Sequence, residues 1–251
     1  MTDTALLAGL IRCLDLTNLN DDCDSAALAA LCKKAQTPHG NVAAVCIWPR
    51  FVGEAKKLLA GTGIKIVTVV NFPQGGEDTL AVEEETRQAL RDGADEIDLV
   101  MAYQALAEGR AGFAETQIVR IKRICGEKVL KVILETGELK SPELIRTASE
   151  LALAAGADFL KTSTGKVAVN ATLEAAEILS SVIADSGATK GFKPAGGMKS
   201  AADAVAYFEV AQRVRGDTVP DPDTFRLGAS SVLDALIAAI EGREETQGTG
   251  Y

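Results

Sequence analysis

Short apolar runs rich in β-branched residues alternate with amphipathic stretches almost to the end of the chain. Eight runs read as strands: Ile11–Leu16, Val42–Trp48, Lys65–Asn71, Glu96–Met101, Val129–Glu135, Phe159–Ser163, Gly191–Pro194 and Phe225–Gly228. Several are continuously apolar, which indicates burial on both faces and hence a parallel sheet. Between them lie helices with legible ends. Ser141-Pro142 supplies an N-cap and a first-turn proline, after which Leu144, Ile145, Ala148, Leu151, Ala152 and Ala155 form one apolar face closed by Gly156. Thr172 to Gly187 repeats the scheme, Ser200 to Asp203 resembles a capping box, and Ser231 is placed to cap the last helix. Eight strand–helix units predict an α/β fold, a parallel (β/α)8 TIM barrel; an open doubly wound sheet would show the same alternation. No Pro-, Gly- or Ser-rich linker divides the chain, so residues 1–241 read as one catalytic domain and 242–251, polar and glycine-rich, as a mobile tail.

Composition narrows the function classes. The 251 residues are 47% apolar but only 4% aromatic, so Ala, Val, Leu and Ile must fill the core. A formal charge of −9 argues against nucleic acid, which needs clustered Lys and Arg, but not against a small anion held by local charge and backbone amides. The N-terminus lacks a signal-peptide pattern and no run approaches a membrane span, so no membrane partner is expected. Five cysteines without a C-x-x-C pair, and His39 as the only histidine, predict neither a disulfide framework nor a zinc site; a reducing cytoplasm is the expected location.

Polar residues that interrupt the strands carry the chemistry. The runs contain Asp15, Asn71, Asp98, Lys131, Lys161 and Lys193, and a charge inside an apolar strand is costly unless it is paired or faces a wet site. Lys161 and Lys193, on the sixth and seventh runs, are expected as neighbours at the C-terminal end of the barrel, where function gathers. Two adjacent ammonium groups disfavour double protonation, leaving one amine free to attack a carbonyl. Strand alternation puts Glu96 and Asp98 on one face, with Asp98 able to pair with a lysine or relay protons. Asp15 and Lys131 read as neutralising each other. Gly196-Gly197 and Gly228-Ala229-Ser230-Ser231 follow the last two strands, where such barrels hold phosphate; as turn glycines and helix-capping serines they would have the same pattern. Thr162 to Lys166 fails the nucleotide-loop pattern because Leu160 and Val167 stand where Gly and a hydroxyl are needed, and Gly61-Thr62-Gly63 lacks a third glycine, so neither ATP nor NAD is expected. Cys46 reads as a small buried hydrophobe, and His39 as a surface residue.

From Asp15 to Tyr251 the chain closely resembles the class I 2-deoxyribose-5-phosphate aldolase family. The matching stretches are Asp15–Thr17, Val45–Phe51, Val70–Pro73, Asp95–Asp98, Leu130–Leu139, Phe159–Gly165, Gly191–Gly197 and Phe225–Ser231. The resemblance implies a cofactor- and metal-independent lyase that reversibly joins acetaldehyde to glyceraldehyde 3-phosphate. It implies that Lys161 forms the imine, Lys193 lowers its pKa, and Asp98 moves protons with an ordered water. It also implies that Tyr251 reaches back to assist proton exchange, and that Thr164, Gly165, Lys166, Gly196, Gly197, Ser230 and Ser231 hold substrate and phosphate. Asp15, Thr17, Cys46 and Lys131 are expected to support the site. Two segments depart from relatives, Met101-Ala102-Tyr103 and Gln74-Gly75-Gly76, and bear on which aldehydes are accepted. The competing expectations are another imine-forming aldolase or a transaldolase, and a non-catalytic barrel that binds sugar phosphates. A homodimer is a common assembly for such barrels, although no interface can be read from the sequence.

Overall fold

The computed structural model describes residues 3–244. Eight strands form one sheet: β1 Leu14–Asn18, β2 Ala44–Ile47, β3 Lys65–Val70, β4 Glu96–Val100, β5 Val129–Ile133, β6 Phe159–Lys161, β7 Gly191–Lys193 and β8 Leu227–Ala229. Their spatial order is β8-β1-β2-β3-β4-β5-β6-β7, and every neighbouring pair is parallel. Parallel bridges Phe192–Phe225 and Ala195–Gly228 join the two outer strands. The Gly228 N–H donates to the Pro194 carbonyl at 2.9 Å there. This closure selects the barrel over the open sheet.

The helices are α1 Thr4–Arg12, α2 Ser25–Lys34, α3 Val52–Leu58, α4 Thr79–Asp92, α5 Tyr103–Ala107, α6 Ala111–Cys125, α7 Thr136–Leu139, α8 Pro142–Ala154, α9 Leu173–Asp185, α10 Ala201–Arg215 and α11 Val232–Ile240. Ser141, Thr172 and Ser200 cap α8, α9 and α10 as their sequences predict, and Ser200 with Asp203 completes a capping box. Three expectations change. Ile11 and Arg12 belong to α1, so the first strand starts at Leu14. The Asp3 carboxylate accepts the Ala5 N–H at 2.8 Å, and Leu7, Leu10 and Ile11 at helical spacing bury one face. The eighth strand starts at Leu227, two residues late. Ser231 occupies the N-cap of α11 but makes no side-chain capping bond. The short α5 and α7, on the loops after β4 and β5, and a small hairpin pairing Gln36–Thr37 with Gly40–Asn41 have no counterpart in the sequence reading.

The scarce aromatics are concentrated. Phe225 packs edge-on against Phe208 of α10 (centroids 5.4 Å apart) and against Phe192 of β7 (6.0 Å). Inside the barrel a separate apolar patch of Leu19, Ala44, Cys46, Val67 and Val69 lines one side. In-register neighbours point the same way, and Val67 and Val69 pair with Glu96 and Asp98. By the same register Glu96, Asp98, Lys131, Lys161 and Lys193 share the lumen, together with Phe159. Gly191 admits this packing, because a Cβ there would lie 2.1 Å from the Phe159 ring. Among the described residues no helix is long and apolar enough to cross a membrane.

Candidate active site

Register places the charged residues in the lumen. Lys161 on β6 lies directly beside Lys193 on β7, and Asp98 on β4 beside Lys131 on β5. The Lys161 and Lys193 ammonium groups both donate to Oδ2 of Asp98, at 2.9 and 2.7 Å. Lys131 donates to Asp98 Oδ1 at 3.2 Å and, closely, to Glu96. Lys193 also donates to Asp15 Oδ2 at 2.5 Å. Arg226 spans the remaining gap: its Nη1 reaches Asp15 Oδ1 at 2.6 Å and its Nη2 reaches Glu96 Oε1 at 2.9 Å. The result is a closed loop of alternating charge, Arg226–Asp15–Lys193–Asp98–Lys131–Glu96, with Lys161 attached to it, among the described residues, through Asp98. Within the loop three cations balance three carboxylates, and Lys161 is the seventh charge. Asp15, Asp98, Lys131 and Lys193 are wholly buried, whereas Lys161 keeps 3% exposure. Complete pairing makes such burial tolerable.

The pairing shows in the proton affinities. Burial opposes the charge on Asp98, but Lys131, Lys161 and Lys193 hold its carboxyl well below the usual carboxylate range. Burial likewise opposes ionised Asp15, and Lys193, Lys131 and Arg226 keep it low. Against the same desolvation, Asp15 and Asp98 push the Lys193 ammonium up. These shifts set the sign of an acid effect. The folded carboxylates stay ionised where their unfolded counterparts protonate, so their stabilisation is complete above the ordinary carboxylate pKa of about 4 and is lost as pH falls through and below it. The urea midpoint is expected to hold from pH 7 to about pH 5 and to drop as pH falls from there to pH 3; a profile flat throughout would contradict the ionised loop.

The structure joins Lys161, Lys193, Asp98, Lys131 and Asp15 in one cluster. Asp15 and Lys131 form the expected ion pair, at 3.6 Å, but each also has a nearer partner: Lys193 and Arg226 for Asp15, Glu96 and Asp98 for Lys131. The structure also puts a shared carboxylate between the two lysines, so attraction to Asp98 opposes their mutual repulsion. Cys46 is buried on the lumen wall, and burial raises its thiol pKa, so it is poorly suited to be a nucleophile. The Thr17 hydroxyl donates to the Asp15 carbonyl at 2.8 Å. Thr164 donates its N–H to Glu135 at 3.1 Å, and Lys166 reaches across to the Leu19 carbonyl at 2.8 Å. Gly165, Gly196 and Gly197 all have positive φ. Ser231 Oγ is buried without a partner among the described residues, at the N-terminus of α11. Ser230 stands beside it at the end of β8. Tyr251 and its expected role lie outside the described residues.

Two loop members escaped the sequence reading as site residues. Strand alternation puts Glu96 on Asp98's face, but its partners Lys131 and Arg226 come from β5 and from just before β8. Arg226, buried between Phe225 and Leu227, satisfies the same criterion of a charge in an apolar run that singled out the lysines. Glu135 is a third omission. It is buried in a left-handed conformation (φ 56°), and burial raises its pKa. The two segments that depart from relatives pack against each other: a Cβ on Gly75 would lie 2.4 Å from the Met101 carbonyl oxygen and 2.9 Å from the Tyr103 ring. Among the described residues no group of three or more His, Cys, Asp or Glu is placed to hold a metal ion.

Residues 10–236 match a family described as DeoC/LacD family aldolase. The chain is 50% identical over 241 residues to the deoxyribose-phosphate aldolase of Agrobacterium fabrum, covering 95% of this chain and 93% of that protein. Its fold is similar to an apo structure from Toxoplasma gondii ME49 proposed as a deoxyribose-phosphate aldolase (TM-score 0.84, 28% identity, 97% and 99% of the two chains). It also resembles in fold the tetrameric deoxyribose phosphate aldolase of Aeropyrum pernix (TM-score 0.76, 24% identity, 93% and 92% of the two chains).

Proposed function

The chain belongs to the DeoC/LacD family of aldolases, and on that premise we propose that it cleaves 2-deoxy-D-ribose 5-phosphate reversibly to acetaldehyde and D-glyceraldehyde 3-phosphate through an imine on Lys161. The observation that carries this reading is the meeting of Lys161 and Lys193 on one carboxylate oxygen at the C-terminal end of adjacent barrel strands.

In the synthetic direction the neutral Lys161 Nζ adds to the acetaldehyde carbonyl, and loss of water gives the protonated imine. This electron sink acidifies the methyl C–H. Its deprotonation gives an enamine, whose carbon forms the new C–C bond with the second aldehyde; hydrolysis then frees the product and the amine. Removing the Lys161 proton leaves the balanced loop of three cations and three carboxylates, so the neutral amine does not create an unpaired lumen charge. Asp98, held strongly ionised, orients the amine and the water that carries protons instead of storing one. The unpartnered Ser231 hydroxyl, the start of α11 and the left-handed Gly196-Gly197 turn supply donors for the substrate phosphate. Tyr251 is assigned proton exchange at the nucleophilic carbon on the resemblance alone.

Reductive trapping tests the reading. Acetaldehyde with cyanoborohydride is expected to leave an ethyl group on Lys161, found by peptide mass spectrometry, and deoxyribose phosphate is expected to yield the two aldehydes. Ethylation with no cleavage of that sugar would point to another imine-forming aldolase or a transaldolase; ligand binding without ethylation would point to a sensor. The same reading treats residues 1–241 as one catalytic domain followed by a tail, places the enzyme in the cytoplasm, where its five buried thiols stay reduced, and takes a homodimer as its assembly.

A further inference from the structure

Arg226 immediately precedes β8, and it makes two of the loop's six links. The residue is 4% exposed. Nη1 and Nη2 grip Asp15 and Glu96, Nε donates closely to the Pro222 carbonyl, and the group lies 5.8 Å from the Phe159 ring centroid. No ligand is needed to explain these bonds, and the residue does not touch Lys161. Two paths of equal length connect them, one through Asp15, Lys193 and Asp98, the other through Glu96, Lys131 and Asp98.

We propose that Arg226 is a positioning residue for the imine chemistry: by closing the loop from the side away from the mouth, it keeps Lys193 and Lys131 turned toward Asp98 and keeps the platform beneath Lys161 electrically neutral. The inference rests on the assignment of Lys161 as the imine-forming residue. Without Arg226, Asp15 and Glu96 compete for the two remaining lysines, and the platform carries one net negative charge. That charge favours the ammonium form of Lys161, so a higher pH is needed to expose the amine. Removing Glu96 instead leaves one net positive charge and has the opposite effect. Among the described residues the other ionisable groups facing Lys161 are Glu135 after β5 and Cys46 on β2, and neither variant touches them.

The test is the pH dependence of Lys161 ethylation by acetaldehyde and cyanoborohydride, normalised to exposed Lys140 in the same digest. It uses wild type, Arg226→Met, Glu96→Gln and the double variant. The midpoint is expected to rise by about one pH unit in Arg226→Met, fall in Glu96→Gln and return to the wild-type position in the double variant. The KM for glyceraldehyde 3-phosphate is expected to hold, because the phosphate donors lie elsewhere. A purely structural Arg226 would reduce the amount of folded protein without moving any midpoint, and unmoved midpoints would overturn the proposal. If Arg226→Met fails to fold, Glu96→Gln decides alone: a midpoint that does not fall refutes the inference. Failure of the wild type to label at Lys161 would instead refute the function assigned above.

Discussion

Lys161→Leu is expected to fold normally and to lose both ethylation and turnover, the latter by roughly four orders of magnitude or more, as when a nucleophile is removed from other enzymes. The variant should fold because, among the described residues, the Lys161 ammonium has one hydrogen-bond partner, Asp98 at 2.9 Å. Asp98 keeps Lys193 and Lys131, and the loop of three cations and three carboxylates stays closed. Leucine fills most of the vacated space without burying an unpaired charge, so the urea midpoint should remain close to that of wild type. The chemistry, by contrast, has no substitute. Lys193 and Lys131 are fully buried and each serves two carboxylates, so neither offers a neutral amine at the mouth. Retained turnover in a homogeneous Lys161→Leu preparation would remove this residue from the mechanism. Lost turnover accompanied by a large fall in stability would mean that it had been a structural ion instead.

The second large effect is the reverse in kind. Lys193→Leu is expected to cost about 3–5 kcal/mol of stability, because it breaks a buried pair and leaves carboxylates short of a partner. Asp15 loses its 2.5 Å contact and Asp98 its 2.7 Å contact. The folded variant should also turn over roughly 100-fold more slowly at neutral pH, the scale of a mis-set acid–base group. The sign of the pH effect follows from the charge count. With Lys193 gone, three cations balance three carboxylates only if Lys161 itself is charged, so its ammonium form is favoured and the rate profile shifts toward higher pH. A rate profile superimposable on wild type would deny Lys193 any influence on Lys161. Lys193 also has a packing requirement of its own: a Cβ on Gly228 would lie 3.0 Å from its Cε. Glycine at 228, inside β8, thus leaves room for that side chain instead of turning the chain.

The amino-acid order determined the periodicity, and with it the strand–helix alternation, the caps at Ser141, Thr172 and Ser200, and the presence of charges in apolar strands. These are local properties, set by side-chain spacing and by hydrogen bonds spanning three or four residues. For the same reason Ile11 and Arg12 were misplaced: a β-branched residue before a short strand is read by its neighbours in sequence, whereas its place in α1 depends on the face it buries. Closure of the sheet, and which charge meets which, belong to the tertiary structure. Asp15 and Arg226 are 211 positions apart and touch at 2.6 Å, closer than the 3.6 Å between Asp15 and Lys131, the one partner the sequence suggests for it. Ion pairing in a desolvated lumen depends on distances of a few ångströms between side chains from different strands, and those distances are fixed only when the barrel's register brings the strands together.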